Sequence, residues 1–370
     1  MNAVSNPAHV IDFAGIKREH AELADVLNAR IAEVMASGQM LQGPGVVALE
    51  QSLALACGRA EAVCVGSGTD ALYFALLSVG VGPGDEVIVP DISFIATAAA
   101  VARTGARPVF VDVDDACLLD LEAAGRAVTP RTKAVVMVQL FGAMSDPEAL
   151  RAFGAAYGVA IIEDAAQAFG ATHGEAAAGG VGLASALSFD PMKVLSAPGS
   201  GGAVLTDDAS IAARVRRLRY HGREAGDYVE PGYNSQLSTL AAAVLSTKLE
   251  RQTDWAARRA RIAERYIHEF SDLPLERPSV SPHVRHVWHK FVLRAAERDR
   301  FMAHLKSVGV PTLAHYPRPF HREPMFGVAA DGLFPNAVRH AGSTLSLPIH
   351  AHLTEVEVER IIAAVRGFFA

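Results

Sequence analysis

The stretch VCVGSGTDAL, residues 63–72, joins a β-branched segment to a glycine-containing turn and the start of a helix. A turn of this kind presents free backbone N–H groups at the positive end of a helix, which suits a phosphate. Gly66, Gly68 and Ala71 fit a loose G-x-G-x-x-A pattern, and Asp91 follows about twenty residues later, as in dinucleotide sites. The stretch alone therefore leaves two interpretations open, NAD binding and a smaller phosphorylated cofactor.

Apolar segments typical of buried strands alternate with helical patterns along the first half of the chain. These segments are EVIVP (86–90), PVFVD (108–112), AVVMV (134–138), VAIIED (159–164) and ALSF (186–189). Continuously apolar strands are expected when helices cover both faces of a parallel sheet. The alternation predicts an α/β fold with a mostly parallel sheet, whose ligands bind at the carboxyl ends of the strands.

The pattern changes in the last third of the chain. A long helical pattern runs from about residue 237 to 270, and a Pro-rich segment, SDLPLERPSVSPH, follows at 271–283. We therefore expect two domains. Residues 1–250 would form a large ligand-binding domain with an N-terminal helical segment, and residues 251–370 a smaller C-terminal α+β domain.

The smaller domain shows its own strand and helix patterns. WHKFVLR (288–294) and PTLAHY (311–316) predict strands, with a helix between them. Thr354 and Glu357 have the spacing of a capping box, which predicts the start of the last helix.

Composition excludes several classes of protein. Half of the 370 residues are hydrophobic and one fifth are charged, as in globular proteins, and the net charge of −6 gives no general attraction for nucleic acid or anionic membranes. Cys57, Cys64 and Cys117 form no CxxC pair, so neither a disulfide framework nor a zinc site is expected. The first residues lack a secretion-signal pattern and no apolar run reaches spanning length, so we expect a cytoplasmic protein.

Two residues that follow predicted strands point to a specific chemistry. Asp164 ends VAIIED, and Lys193 follows ALSF in the motif SFDPMK. Taken alone, Asp164 would be a helix N-cap and Lys193 an ordinary loop lysine. Together with the turn at 66–69 they place a carboxylate, an amine and a phosphate cup at one sheet edge, and Ser188 could add a hydroxyl. Pyridoxal 5′-phosphate (PLP) needs a Schiff-base lysine, an acid at its pyridine nitrogen and a phosphate cup.

Motifs along nearly the whole chain resemble one family. They are GSGTDALYFALLSVGVGPGDEVIVP (66–90), VTPRTKAVV (128–136), IIEDAAQAFGA (161–171), SFDPMK (188–193), GSGGAVLTDD (199–208), GYNSQLSTLAAAVL (232–245), HYPRPFH (315–321) and LSLPIHAHLTEVEVE (345–359). The chain resembles the DegT/StrS-like nucleotide-sugar aminotransferases, which have the aspartate-aminotransferase fold. The resemblance implies a PLP-dependent transferase of fold type I that works as a homodimer with shared active sites.

The resemblance also implies roles for single residues. They are Lys193 (Schiff base), Asp164 (pyridine nitrogen), Gln167 (phenolic oxygen), Phe94 (ring stacking), Gly68, Thr69 and Ser188 (phosphate), Asn234 (phosphate in the other subunit), and His315 and Tyr316 (sugar). Two residues depart from the family pattern. Gln236 replaces the arginine of the usual GxNxR, and Ser200 replaces the acid of FGDGG, so the substrate is less defined than the central chemistry.

The resemblance implies transamination from an amino acid, expected to be L-glutamate, to a keto-deoxysugar carried on a nucleotide. The motif GSGTDAL is closer to relatives that act at C3 of the sugar than to those that act at C4. The product would enter the biosynthesis of amino sugars for lipopolysaccharide or another polysaccharide.

Several alternatives accompany this prediction. NAD binding explains the glycine-containing turn at 66–69 and Asp91, but it gives no role to Asp164 and Lys193. His283, His286 and His289 are spaced by three and could converge as zinc ligands on a helix, but their neighbours favour extended chain, so we expect no metal. Two further alternatives remain. The enzyme could act on a free keto-sugar or keto-cyclitol, or the protein could bind PLP in a regulatory role without catalysis.

Overall fold

A seven-stranded sheet lies at the centre of the computed structural model, which describes residues 10–327 and 330–370. The strands are β1 (Glu61–Val65), β2 (Glu86–Pro90), β3 (Arg107–Val111), β4 (Thr132–Val138), β5 (Ala160–Asp164), β6 (Thr172–His173), β7 (Ala176–Ala177), β8 (Ala184–Ser188), β9 (Gly202–Thr206), β10 (Arg223–Glu224), β11 (Asp227–Tyr228), β12 (Val284–Arg285), β13 (Phe291–Arg294) and β14 (Thr344–Leu347). The α-helices are α1 (Ile16–Glu22), α2 (Ala24–Ser37), α3 (Pro44–Cys57), α4 (Gly68–Ser78), α5 (Ala96–Arg103), α6 (Leu121–Ala127), α7 (Pro147–Tyr157), α8 (Ala209–Leu218), α9 (Thr239–Leu249), α10 (Gln252–Glu269), α11 (Arg298–Ser307), α12 (Pro335–Ser343) and α13 (Glu355–Phe369).

The sheet is mostly parallel, as predicted. Its strand order is β1-β9-β8-β5-β4-β2-β3, and β9 alone among these seven strands runs in the opposite direction to the other six. Strands β5 and β8 are parallel neighbours, with Asp164 opposite Ala186. The residues that follow these two strands therefore lie at the same edge of the sheet.

Helices cover both faces of the sheet, which explains its continuously apolar strands. In β4, Val136 and Val138 belong to a hydrophobic cluster with residues of α4 and α8, whereas Met137 belongs to a second cluster with residues of α3 and α9. Successive side chains of a strand point to opposite faces, so an apolar residue is needed at every position.

A second hydrophobic core lies in the C-terminal part of the chain. Its two-stranded sheet pairs Phe291 with Leu347 in antiparallel register, and residues of α10, α11 and α13 pack around it. Ile11, near the other end of the chain, is also buried in this core, and its N–H donates to the carbonyl of Gly309 at 3.1 Å. The predicted domain boundary after residue 250 remains a proposal.

The structure corrects two predictions of secondary structure. The helical pattern at 237–270 forms two helices, because α9 packs on the central sheet and α10 packs into the C-terminal core. The segment 311–316 is not a strand: Leu313 makes one isolated bridge to Ser346. Prolines at 311 and 317 remove the N–H groups that a longer ladder would need. The partner of β13 is instead β14, which the sequence analysis missed.

The start of the last helix, the cysteines and the lengths of the apolar helices can also be compared with the sequence analysis. The last helix begins with the predicted capping box between Thr354 and Glu357. The three cysteines are free and buried. Within residues 10–327 and 330–370, no helix is both long and apolar enough to cross a membrane. Residues 1–9, part of the stretch searched for a secretion signal, lie outside the described residues.

Candidate active site

A small polar cradle lies at the N-terminus of α4, where the sequence predicts a phosphate site. Ser67 adopts an extended backbone, its hydroxyl accepts the N–H of Asp70 at 3.0 Å, and its carbonyl accepts the N–H of Ala71. The first four N–H groups of a helix have no partner within the helix. Those of Gly68 and Thr69 are thus left without a partner in the described chain.

Ser188 lies directly against this turn from the end of β8. A Cβ atom at Gly68 would be 2.5 Å from the Cβ of Ser188 and 2.7 Å from its Oγ. Only glycine permits so close an approach. The Ser188 hydroxyl and the free N–H groups of Gly68 and Thr69 therefore form one small polar cradle, which we name the phosphate cradle.

Asp164 is buried at the carboxyl end of β5. Its Oδ2 accepts the hydroxyl of Thr97 at 2.8 Å, and its Oδ1 accepts the N–H of Ala166 at 3.2 Å. Burial raises the pKa of Asp164, against the opposing effects of the Thr97 hydrogen bond and the positive charge of Lys193. The structure thus brings Asp164 and Lys193 into one electrostatic environment. Thr97, on α5, is a site residue that the sequence analysis missed.

Lys193 lies in the loop that follows β8, where its N–H donates to the carbonyl of Asp190 at 2.9 Å. Burial lowers the pKa of Lys193, and the carboxylates of Asp164 and Asp190 partly oppose this. Its Nζ has no hydrogen bond or ion pair to another described residue. A partly buried lysine whose amine has a lowered pKa and no partner among the described residues is available for covalent chemistry.

Gln167 connects three parts of the site. Its Oε1 accepts the N–H of Phe141 at 3.0 Å, and its Nε2 donates to the hydroxyl of Tyr316 at 3.0 Å. The ring of Tyr316 lies 6.3 Å from that of Phe94, measured between centroids, and Phe94 is half exposed. The structure therefore brings Gln167, Phe94 and Tyr316 together.

His315 precedes Tyr316 and faces the C-terminal core. Its Nδ1 is 2.7 Å from the hydroxyl of Ser346. Burial lowers the pKa of His315 to about 3, and the nearby cations Lys290 and Lys193 add to this effect. His315 is therefore neutral near pH 7 and acts as a hydrogen-bonding group.

Asn234 and the two departures from the family pattern make no hydrogen bond to the residues of this cluster within the described chain. Asn234 is exposed, and its side chain has no hydrogen bond within the described residues. The next residue, Ser235, is buried and accepts the N–H of Gly66 through its carbonyl at 2.9 Å. Gln236 accepts a hydrogen bond from Gln42, and Ser200 is exposed.

Comparison with known proteins places this geometry in a family. The sequence profile of the DegT/DnrJ/EryC1/StrS aminotransferase family matches residues 22–366. The chain belongs to this family. It is 42% identical to the erythromycin biosynthesis sensory transduction protein EryC1 of Saccharopolyspora erythraea over 363 residues, covering 96% of this chain and 99% of the relative. It is 40% identical to the dTDP-3-amino-3,4,6-trideoxy-alpha-D-glucose transaminase of Streptomyces venezuelae over 361 residues, covering 96% and 95%.

The solved structures agree with the family. The fold matches S. venezuelae DesV, solved in complex with a ketimine intermediate, with a TM-score of 0.94 and 40% identity, covering 97% of this chain and 98% of that one. The predictions of a PLP-dependent aminotransferase and of the type I fold are confirmed.

The residues of this DegT/DnrJ/EryC1/StrS aminotransferase fit PLP. The phosphate cradle offers unpaired N–H donors and a hydroxyl, and Asp164 offers a buried carboxylate to which the described residues bring no hydrogen-bonded cation. Lys193 offers a free amine in the same environment. These are the donor set, the acid and the nucleophile that the cofactor needs.

The alternatives of NAD and zinc find no support in the geometry. The carboxylate of Asp91 is occupied by His321, whose N–H donates to Oδ1 at 2.9 Å and whose Nδ1 lies at 2.5 Å from Oδ2. No group of three or more His, Cys, Asp or Glu residues within 10–327 and 330–370 could hold a metal ion. His286 instead accepts the N–H of Trp288 through Nδ1 at 2.9 Å.

Proposed function

We propose that this aminotransferase moves the amino group of an amino acid, expected to be L-glutamate, to the 3-keto group of a nucleotide-linked deoxysugar. The observation that carries the proposal is the meeting of Lys193, Asp164 and the phosphate cradle at one edge of the sheet. The S. venezuelae transaminase supports amination at C3, because its name places the amino group there.

Lys193 and Asp164 would divide the proton transfers of the reaction. When bound, PLP supplies an electron sink for the pair left behind as the donor loses its Cα proton. Lys193 would hold the cofactor through Nζ, and its freed Nζ would then accept and return that proton. Burial lowers the pKa of Lys193, so a larger fraction of Nζ is in the neutral form that accepts a proton. Asp164 would keep a proton at the pyridine nitrogen.

The other predicted residues would position the reactants. Gln167 is fixed by Phe141 and Tyr316 and would face the phenolic oxygen, while Phe94 would cover the cofactor ring. The phosphate cradle would bind the phosphate. His315 and Tyr316 would lie beside the sugar, where a neutral imidazole and a phenol can donate and accept hydrogen bonds to hydroxyl groups.

The test is turnover by the holoenzyme together with Lys193→Ala. We expect the wild type to convert L-glutamate and a dTDP- or UDP-linked 3-keto-deoxysugar into 2-oxoglutarate and an amino sugar in equal amounts. Borohydride reduction should leave a pyridoxyl group on the peptide that contains Lys193, as seen by mass spectrometry. Lys193→Ala should bind pyridoxamine phosphate and catalyse nothing measurable.

The same assay separates the alternatives. Faster turnover of a free keto-sugar or keto-cyclitol than of any nucleotide-linked sugar would replace the proposed substrate. The name of the EryC1 relative, a sensory transduction protein, favours a regulatory role as the second candidate. Bound PLP without turnover of any keto-sugar would support that candidate, and a pyridoxyl group on another lysine would contradict the role of Lys193.

We also propose a homodimer in which Asn234 binds the cofactor phosphate of the other subunit. Its exposed side chain without a partner in the described chain supports this. A hydrogen bond to a charged group contributes roughly 1.5–3 kcal/mol, so Asn234→Ala should weaken PLP binding by about ten- to hundred-fold. Co-expression of Asn234→Ala with Lys193→Ala would restore one intact site in each heterodimer. Activity at limiting PLP should then exceed the mean of the two parents. Heterodimers without such recovery would contradict a shared site.

We place the protein in the cytoplasm, in the biosynthesis of amino sugars for lipopolysaccharide or another polysaccharide. Three free, buried cysteines fit a reducing compartment. Cell fractionation and loss of an amino sugar from the cell's polysaccharides after deletion of the gene would test both statements.

A further inference from the structure

A small cavity lies on the side of Lys193 that faces the C-terminal core. Its volume is about 40 Å³. The charged side chains and the histidines that line it are Glu19, Lys193, Arg259, His289, Lys290, His350 and His352. A volume of this size accommodates one or two water-sized groups. The cavity can therefore receive the end of a small ligand.

Within the described residues, Lys290, Arg259 and His289 are buried without all the partners that their charge or polarity requires, and Nε2 of His352 is another buried lining atom without a hydrogen bond. Lys290 and Arg259 are 7% and 6% exposed, and neither forms an ion pair with a described carboxylate. Arg259 donates through Nε to the carbonyl of Val287 at 3.0 Å, whereas its Nη2 has no hydrogen bond to any described residue. His289 is 6% exposed, and its Nδ1 likewise finds no hydrogen-bond partner in the described part of the chain. A cation buried without an anion is costly.

The charge of the cavity is positive. Glu19 is the one carboxylate among its lining residues in the described chain, and it is already bound: its Oε1 lies 2.6 Å from the Nζ of Lys248 and accepts a hydrogen bond from Ser196 at 3.3 Å. The amine of Lys290 lies over the face of the Phe13 ring, 5.4 Å from its centroid, and has no hydrogen bond to another described residue. Burial lowers the pKa of Lys290 to about 8, and Lys193 contributes to the shift.

We infer that this cavity, which we name the carboxylate pocket, binds a carboxylate of the amino-acid donor through Lys290, Arg259 and His289. The inference rests on the proposed function, since it concerns the donor of that reaction. A carboxylate is small enough for the pocket, neutralises a buried cation and accepts charge-assisted hydrogen bonds from Lys290 Nζ and Arg259 Nη2. Lys193 lines the same pocket, so the donor's reacting carbon would lie close to the lysine.

The first test measures binding without turnover. Glutarate, a dicarboxylate without an amino group, is titrated into the holoenzyme by calorimetry. Lys290→Met keeps the length of the side chain and removes its charge, and it should weaken glutarate binding by about ten- to hundred-fold. Lys290→Arg should retain most of the affinity. Lys306→Met, on the exposed side of α11 in the same part of the chain, is the control and should bind as the wild type does.

The second test compares the two amino donors of the reversible reaction. Single half-reactions follow the spectral change of the PLP form when L-glutamate or the amino-sugar product is added. Lys290→Met should raise the apparent Kd for L-glutamate at least tenfold more than that for the amino sugar. Equal losses with both donors, or an unchanged Kd for L-glutamate, would overturn the inference. If Lys290→Met does not fold, Lys290→Gln replaces it.

The two tests also separate this inference from the proposed function. An enzyme that binds glutarate through Lys290 but transfers nitrogen to no sugar would contradict the proposed function and leave the carboxylate pocket supported. Turnover of the nucleotide-linked sugar by the wild type, together with an unchanged glutarate affinity in Lys290→Met, would support the proposed function and contradict the carboxylate pocket. L-alanine carries only an α-carboxylate and 4-aminobutyrate only a distal one, so the donor weakened by Lys290→Met identifies which carboxylate enters the pocket.

Discussion

The candidate active site has two walls, one at the edge of the central sheet and one formed by the carboxylate pocket. Their buried polar groups differ in how many hydrogen bonds and ion pairs they form within the fold. On the sheet-edge wall, Asp164 accepts hydrogen bonds from Thr97 and Ala166, and Gln167 uses both its oxygen and its nitrogen. On the opposite wall, Lys290 and Arg259 of the carboxylate pocket form no ion pair with a carboxylate of the described residues, although Asp190 and Glu19 partly oppose the lowering of their pKa values. Asp164 and Gln167 therefore find their hydrogen bonds within the fold, whereas the two buried cations have no paired anion among the described residues. Buried groups of this kind are common at binding sites, and we infer that a ligand completes the opposite wall.

The difference follows from how each wall is built. The sheet-edge wall is fixed by the ladders of β5 and β8, which hold the residues after them in place. The opposite wall comes from α10 and from the chain before β13, where Trp288 has a left-handed φ of 54°. Bulky residues rarely adopt this conformation, and it is common at functional sites. His289 and Lys290, which line the pocket, follow directly after Trp288.

The largest effect, a loss of kcat, is expected from Asp164→Asn on the sheet-edge wall. The substitution keeps the size of the side chain and an acceptor for Thr97, but it removes the charge that, in the proposed role, would hold the pyridine proton. We expect the PLP form to be retained and kcat to fall by about 10²–10³. Steady-state kinetics measures this, with Thr97→Val as the control that keeps the carboxylate and removes only its hydrogen bond. Near-normal turnover of Asp164→Asn would leave Asp164 as a structural residue.

An intermediate effect is expected on how the free energy of unfolding depends on pH, through Lys290 on the opposite wall. The folded pKa of Lys290 is about 8, below its value of 10.5 in the unfolded chain. Below pH 8 both states bind the proton and the full cost of burying the charge is present. Between pH 8 and 10.5 the unfolded state binds more protons, so stability from this group rises with pH. Asp190 lies near Lys290 and opposes the shift, whereas Lys193 adds to it.

Lys290→Met lacks this titrating group. It should therefore be more stable than the wild type, by an amount that is largest below pH 8 and decreases toward pH 10.5. The difference in unfolding free energy, from urea denaturation of the holoenzyme, should be a few kcal/mol at most. Saturating glutarate should reduce it, because the anion offsets the buried charge. A constant difference across this pH range would show that Lys290 does not titrate as the structure indicates.

The smallest effect is expected where the two walls meet. Tyr316→Phe removes the hydroxyl that accepts the Nε2 hydrogen of Gln167. Leaving this buried donor unpaired costs about 1 kcal/mol, so kcat/KM should fall by roughly five-fold. Tyr157→Phe, at the exposed end of α7, is the matched control. A loss beyond a hundred-fold would mean that the phenol takes part in the chemistry itself.

The central sheet and the groups along its edge could be predicted from the sequence. Asp164 ends β5, Ser188 ends β8, and Gly68 begins the helix after β1. In a parallel sheet the carboxyl ends of neighbouring strands meet, so a position after a strand specifies a position in space. The family motifs lie on these same segments, which explains why fold, cofactor and enzyme class were predicted together.

The carboxylate pocket was decided only by the tertiary structure. Phe13, Arg259 and Lys290 are far apart in the chain, and no periodic pattern joins them. The same holds for the bond of Asp91 to His321, and for the pairing of β13 with β14 in place of 311–316. Periodicity in a sequence records the face that each element buries, so it predicts strands, helices and their ends. It does not record which buried faces meet. That depends on the packing of distant segments, and so the polar groups that this packing leaves without partners appear only in the folded chain.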